Sequence, residues 1–301
     1  MTGLKALVRR NTKLFFKDKG MFFTSLITPL ILLVLYATFL GNVYEDTFRS
    51  ALESFGATVS DKLIRGCVGG ELVSSLLAVC CVTVAFCSNF LMVQDKVSGA
   101  RMDLTISPVK KGTLALGYYI STLLSTLLIC YAATAVGMLY IAGTGWYLSV
   151  GDVLCILLDV LLLVLFGTAL SSIINHFLAS QGQISAMGTI VSAGYGFICG
   201  AYMPISQFSA GLQKVLSFLP GTYGTSLLRN HALRGVFEEM GNQGFPSQVV
   251  ESIKDSVDCN LYFSDKLVPA ANMYGIIAGT VVLLLAVYVL INLCGRRKKG
   301  E

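Results

Sequence analysis

The sequence predicts an all-α polytopic membrane protein: about six transmembrane helices, an N-terminal amphipathic interfacial helix, and external amphipathic or re-entrant helices before the last span. Three observations predict it. The 301 residues are 54% hydrophobic and 13% charged, against roughly 25% charged in a soluble domain. Mean hydropathy is +0.72. Apolar runs of about 20 residues recur along the chain, the length a helix needs to cross a ~30 Å hydrocarbon core with its backbone groups bonded internally.

Residues 3–19 open the chain as a basic amphipathic helix. Leu4, Leu7, Val8, Asn11 and Phe15 share one face, and Lys5, Arg9, Arg10, Lys13 and Lys17 occupy the others. Such a helix lies at a membrane surface with its cations toward anionic lipid. The following run, 21–40, is too long for a signal-peptide core and has no small-residue cleavage site, so it reads as a retained first span. Pro29 within it, preceded by Thr24, Ser25 and Thr28, marks either a kink or hinge or an ordinary tolerated proline. Further spans are predicted over 67–93, 114–142, 153–174, 184–202 and 270–293, within one membrane domain covering 1–301.

Six spans put both termini on one side. Six lysines and arginines precede the first span, four lie in the loop from Lys96 to Lys111, and four close the chain at 296–299. Eight lie in the segments on the other side, so the positive-inside rule makes both termini cytoplasmic. The external segments are then residues 45–65, a short turn near Trp146 and Tyr147, and the long stretch 205–269. In the last, Leu212, Val215, Leu216 and Leu219 recur at helical spacing before Pro220, as in a helix dipping into the outer leaflet. Ser247 resembles the N-cap of a further helix carrying Val250, Ile253 and Val257.

Small residues recur every fourth position at Gly188, Ser192, Gly196 and Gly200, and again at Ala271, Gly275 and Gly279. They allow close backbone approach, which serves a partner protomer, the pathway or contacts within one bundle. Asp159 is the acidic residue set well inside a span. It is either a substrate-facing group or a wet, structural one near the outer surface. Glu71 reads as interfacial. Seven of the nine cysteines fall in or beside apolar runs without metal-ligand spacing, and pairing of Cys67 with Cys259 stays open. His176 and His231 fall on opposite sides of this topology, and no triad or carboxylate pair is defensible, so no catalytic or metal site is expected.

The loop 95–111 is the most informative segment. It begins Asp95-Lys96, continues through Gly99, Arg101, Met102 and Asp103, and ends Ser107-Pro108-Val109. Together with Tyr202-Met203-Pro204 and Leu219-Pro220-Gly221-Thr222-Tyr223 ahead of the last span, it resembles ABC-2 type exporter permeases, and the order of features covers essentially the whole chain. The resemblance implies a transport subunit that is no enzyme by itself: two permease copies, as a homo- or heterodimer, coupled to two cytoplasmic ATPase subunits that carry the ATP and Mg. The chain has no GxxxxGK[ST] loop and no cofactor of its own. Asp95, Lys96, Gly99, Arg101, Met102 and Asp103 would form the coupling element, with the N-terminal helix as a second contact; headgroup anchoring is the alternative for those charges. Pro29, Asp159, Gly188, Ser192, Gly196 and Gly200 are the candidates for pathway or dimer packing. The apolar interior suits an amphipathic, lipid-like or drug-like substrate and membrane lipids as surroundings, with no nucleic acid. A separate ATPase and the absence of an N-x-[ST] acceptor fit a bacterial plasma membrane. The rival class is an ion-gradient-driven carrier or flippase without an ATPase. Ser180-Gln181-Gly182-Gln183 resembles an ATPase signature only superficially, since it lies in a tight turn between spans.

Overall fold

The computed structural model describes residues 2–35, 38–39, 41–42, 45–46, 48–49, 60–107, 109–264 and 266–294. Most of the first external segment, Pro108 and the basic cluster 296–299 lie outside the described residues. Among those described, the chain forms eleven α-helices and one two-stranded ribbon.

Helix α1 (Thr2–Lys17) meets α2 (Lys19–Leu35) at an angle of 72°. The bend falls at Asp18, whose carboxylate accepts the Met21 amide at 3.1 Å, and α2 runs on through Pro29. The hinge therefore comes from a capped helix start, and Pro29 sits inside a continuous helix. The apolar face of α1 does not simply rest on lipid. Leu7 packs where a Cβ at Gly117 would sit, 3.1 Å away, against the long helix α5 (Lys111–Thr144).

Helix α3 (Asp61–Val97) is the axis of the fold. It packs against α2, α5, α6 (Val150–Phe177), α7 (Gln181–Ile198) and α9 (Pro220–Asn242). Its apolar residues show no preferred face, which is the pattern of a helix buried all round. Helix backbones approach closely at Gly167 of α6, where a Cβ would lie 3.0 Å from both the Cys81 carbonyl oxygen and the Val82 Cα of α3. Gly99, with φ of 82°, turns the chain from α3 into the short helix α4 (Ala100–Ile106). Ser149 with Asp152, and Ser180 with Gln183, form capping boxes that start α6 and α7. The Ser180–Gln183 sequence is thus a helix start.

After α7 the chain reverses at Gly200, with φ of 76°. A 3-10 turn (Ile205–Gln207), α8 (Ala210–Leu216), α9, α10 (Ser247–Ser256) and the antiparallel strands β1 (Tyr262–Phe263) and β2 (Lys266–Leu267) follow. Helix α11 (Ala270–Cys294) packs on α6 and α9. Pro246, not Ser247, is the residue before α10; Val250, Ile253 and Val257 are buried as their spacing predicts.

Among the described residues, four helices are long and apolar enough to cross a membrane, α3, α5, α6 and α11, with the bent α1–α2 pair a fifth. The fifth expected span, 184–202, forms α7, but its 18 residues include Gln181, Gln183, Ser185, Thr189 and Ser192, which lower its apolarity. The larger departure is α9. Residues 205–269 were expected outside the bundle, yet this 23-residue helix is packed among α3, α6 and α11 with Leu227, Leu228 and Leu233 fully buried.

Candidate functional site

Two features converge where α3 ends. Asp95 accepts two hydrogen bonds from the Arg10 guanidinium, at 2.7 and 3.1 Å, and a third from the Tyr118 hydroxyl at 2.5 Å. These bonds hold Arg10 above its already high ordinary pKa. A bidentate arginine–carboxylate pair fixes direction as well as distance, so α1 is pinned to the end of α3 and to α5. Lys96 points the other way. Its ammonium donates to the carbonyls of Asn175, His176 and Leu178, at 3.2, 2.5 and 2.9 Å. A cation on the last carbonyls of α6 satisfies orphan acceptors and the helix dipole together.

Of the four charged residues expected to face a partner, Asp95 and Lys96 therefore face inward, and the outward surface is α4. Met102 and Ile106 are 68% and 79% exposed, and Asp103 is exposed beside them. Arg101 is half-buried, while Lys5, Arg9 and Lys13 remain exposed along α1. Gly99 holds a backbone conformation that an L side chain strains, so its contribution is the turn.

A groove of about 1200 Å³ runs between α2, α3 and α7. Asp18, Gln94 and Gln181 line the end near α4, Ile27, Phe90 and Gly188 the middle, and Pro204, Gln207 and Val257 the far end. Among its lining residues Asp18 alone carries a formal charge. Of the small residues singled out on α7, Gly188 and Ser192 line this groove. Gly196 is covered by the Tyr202 ring, whose hydroxyl donates to the Ser192 carbonyl at 3.0 Å, and Gly200 makes the chain reversal. Pro29 is buried in α2 and is not among the lining residues.

The far lip of the groove rests on a buried ionic network. Arg229 of α9 lies 2.7 Å from the Glu71 carboxylate of α3 and 3.4 Å from Asp258, and it donates to Ser75 at 3.1 Å and to the Gly200 carbonyl at 2.8 Å. Asp258 in turn accepts the amides of Ile205 and Ser206. Burial pushes the Asp258 carboxyl above its ordinary range, opposed by Arg229 and those amides. Glu71 is thus fully buried rather than interfacial. On another side of α9, His231 Nδ1 lies 2.6 Å from Asp159, which also accepts the Tyr274 hydroxyl of α11 at 2.6 Å. Asp159 is 1% exposed and is not among the groove residues. A third tie joins Arg234 to Asp152 at 2.6 Å.

Sequence reading separated Asp159 from His231 because it placed α9 outside the bundle. The signal was present in Tyr223, Leu227, Leu228, Leu233 and Val236, an apolar helical series interrupted by Arg229 and His231. Tyr118 and the carbonyl set of residues 175–178 carried no comparable signal. Cys67 and Cys259 are buried and free, and among the described residues no group of His, Cys, Asp and Glu side chains is arranged to hold a metal.

A family model described as ABC-2 type transporter matches residues 2–232, from α1 into α9. No curated protein matches the chain.

Proposed function

Since this chain belongs to the ABC-2 type transporter family, and so is a membrane-spanning transport subunit, we propose that it forms the permease half of an ATP-driven exporter. Two copies would work with two separate cytoplasmic ATPase subunits that hold ATP and Mg. The observation that carries this reading is α4: a short helix displaying Met102 and Ile106 at the end of a helix buried throughout its apolar window, tied to α1 through Asp95 and to α6 through Lys96.

An apolar knob on a rigid stem suits a protein partner better than a headgroup anchor. Anchoring needs cations at the tip, whereas the tip here is Met102, Asp103 and Ile106, and Lys96 is occupied by carbonyls. ATPase closure would push α4, and α3 would carry the displacement toward the groove. The groove fits an amphipathic, lipid-like or drug-like molecule: its walls are apolar through the middle, with hydroxyl and amide groups along α7. The chain would sit in a bacterial plasma membrane with both termini in the cytoplasm, following its basic loops.

Reconstitution with the candidate ATPase tests this. Vanadate-sensitive export is expected from the wild type and is expected to be lost in Ile106→Arg, with ATPase no longer co-purifying. Export that persists in Ile106→Arg, or needs no ATPase, refutes it. An ion-gradient carrier would draw on the buried Asp159, His231 and Tyr274 cluster; collapse of the proton gradient stopping export while ATP is present would favour that reading.

A further inference from the structure

The groove between α2, α3 and α7 holds one formal charge along its length, and it is negative. Its lining includes Asp18 and no lysine, arginine or histidine. Asp18 sits at the elbow between α1 and α2, where one carboxylate oxygen accepts the Met21 amide at 3.1 Å. Among the described residues the other oxygen has no hydrogen-bond or ion-pair partner. Lys17 and Lys19 flank Asp18 in sequence, but both are exposed and neither lines the groove. Resting on the transport reading of this same groove, we propose that its substrate is a cationic amphiphile, a single ammonium on a long apolar body, and that Asp18 selects the charge.

The groups around Asp18 leave its charge uncompensated. A smaller pocket of about 300 Å³ adjoins the elbow and shares Asp18, Met21 and Gln94 with the groove. Arg10 and Asp95 also line it, but they are spent on each other through two hydrogen bonds of 2.7 and 3.1 Å. A phosphate carried beside the ammonium would therefore find no free cation, which sets a simple ammonium amphiphile apart from a zwitterionic phospholipid headgroup. Gln94 and Gln181 line the same end, and among the described residues their side-chain amides make no hydrogen bond. Their carbonyl oxygens are available to ammonium N–H groups that Asp18 does not take.

The rest of the groove suits the apolar body. Helix α2 turns Met21, Thr24, Ile27 and Ile31 toward it at helical spacing, a wall of about 15 Å at ~1.5 Å per residue. A carboxylate at one end of such a wall fixes direction, with the head toward α4 and the chain toward Pro204. An anionic head would meet repulsion at Asp18 with nothing in the groove to offset it, and specificity rests on such a mismatch as much as on attraction. Asp159, the carboxylate that the sequence sets inside a span, does not compete for the cation, because it lies off the groove and is held by His231 and Tyr274. Asp18 is exposed, so salt screens its pull, and the selection is a several-fold preference.

Photolabelling of the full-length protein in phosphatidylcholine nanodiscs tests this without ATP or ATPase. The probes are hexadecylamine, hexadecanol, hexadecyl sulfate and hexadecylphosphoethanolamine, each carrying the same diazirine in its chain. Helix α3 is buried throughout its apolar window, so a cross-link to Phe90 or Gln94 reports entry into the groove and not contact with bulk lipid. The amine is expected to label these residues several-fold more than the alcohol, with the sulfate least and the phosphoethanolamine no better than the alcohol. Added salt should narrow the preference. Asp18→Asn keeps a side chain that caps α2 equally well, so the helix start survives, and it should lower amine labelling to the level of the alcohol. Asp18→Glu should retain the preference. Equal labelling by amine and alcohol, a preference that survives Asp18→Asn, or phosphoethanolamine labelling as strong as that of the amine overturns the proposal and leaves the groove as a binding site. Absence of label on α3 from every probe overturns the groove itself as the substrate site, and with it the reading on which the proposal rests.

Discussion

Replacing Arg229 by methionine keeps most of the side-chain volume and removes the charge at the centre of the Glu71–Asp258 network. Arg229 is 1% exposed at its side chain, with Glu71 at 0% and Asp258 at 5%, so solvent cannot screen what is left behind. The variant leaves two buried carboxylates near each other without their common cation, and the Gly200 carbonyl and Ser75 lose a donor. Breaking a buried ion pair by removing one partner costs about 3–5 kcal/mol, on the order of 10 °C in apparent melting temperature for a chain of this size. The assay is thermal unfolding in detergent, read by exposure of the buried thiols Cys199 and Cys259, which lie beside the network. Adding Glu71→Gln and Asp258→Asn to Arg229→Met removes the stranded charges and should recover more than half of the loss, a coupling well outside additivity. Arg229→Met within about 1 kcal/mol of the wild type, or a triple variant no better than the single, refutes the assignment of this network as the support of the groove's far lip.

Lys96→Met should leave the fold assembled while freeing the last turn of α6. The loss of a charged donor to three carbonyls costs about 1.5–3 kcal/mol locally, and faster amide exchange across residues 172–178 checks it. Gly167→Ala should destabilise by about 1–3 kcal/mol, because its Cβ would press on α3 backbone atoms 3.0 Å away; thermal melting in detergent reads it. Gly99→Ala meets no atom within 4 Å, so its cost is the left-handed backbone alone, about 1–2 kcal/mol, and ATP hydrolysis should persist with less export per ATP. Glu251 is held below its ordinary 4.5 by hydrogen bonds from Lys254 and Asn260. Its contribution to stability is present above the unfolded value and is lost as pH falls through the lower folded one, so protease cleavage between residues 247 and 260 should rise only under acid.

The spans were legible because one physical demand dominates them. A backbone in lipid must bond internally, so long apolar runs declare themselves, as in α3, α5, α6 and α11. The α3–α4 turn was legible through Gly99, since the glycine is needed whatever surrounds it. Hydropathy failed at α9 because it sums residues one by one. Arg229, His231 and Arg234 each subtract from apolarity, yet each is paired with a carboxylate from another element, Glu71 and Asp258, Asp159, and Asp152. A buried charge is affordable only with its partner, and the partners lie 72 to 158 residues away or, for Asp258, 29. Asp95 and Lys96 were read as an outward-facing pair for a related reason: sequence places them beside each other, while the helix points one toward α1 and the other toward α6.

The same helix bears on how force could cross the molecule. Asp95 and Glu71 lie 24 residues apart on α3, about 36 Å at 1.5 Å per residue, and each is held by an ionic network to other elements. No proline interrupts α3, and it is buried throughout its apolar window, so a push at α4 has no room to dissipate in a bend. The half of α3 far from α4 reaches Arg229, and through Arg229 and Asp258 the amides of Ile205 and Ser206, which flank groove residues Pro204 and Gln207. Helix α7 shares the groove but is more loosely packed along one side: a Cβ added at Gly182 or Gly194 would meet nothing within 4 Å. Rigid α3 and lightly held α7 thus form the two walls of one groove. Relative sliding between them changes its shape at the least cost in broken contacts, and a bifunctional thiol crosslink between Phe90→Cys and Gly188→Cys, where a Cβ at Gly188 would lie 3.5 Å from the Phe90 ring, should block export while leaving ATP hydrolysis in place. Export that survives complete formation of that crosslink would move the working interface elsewhere in the bundle.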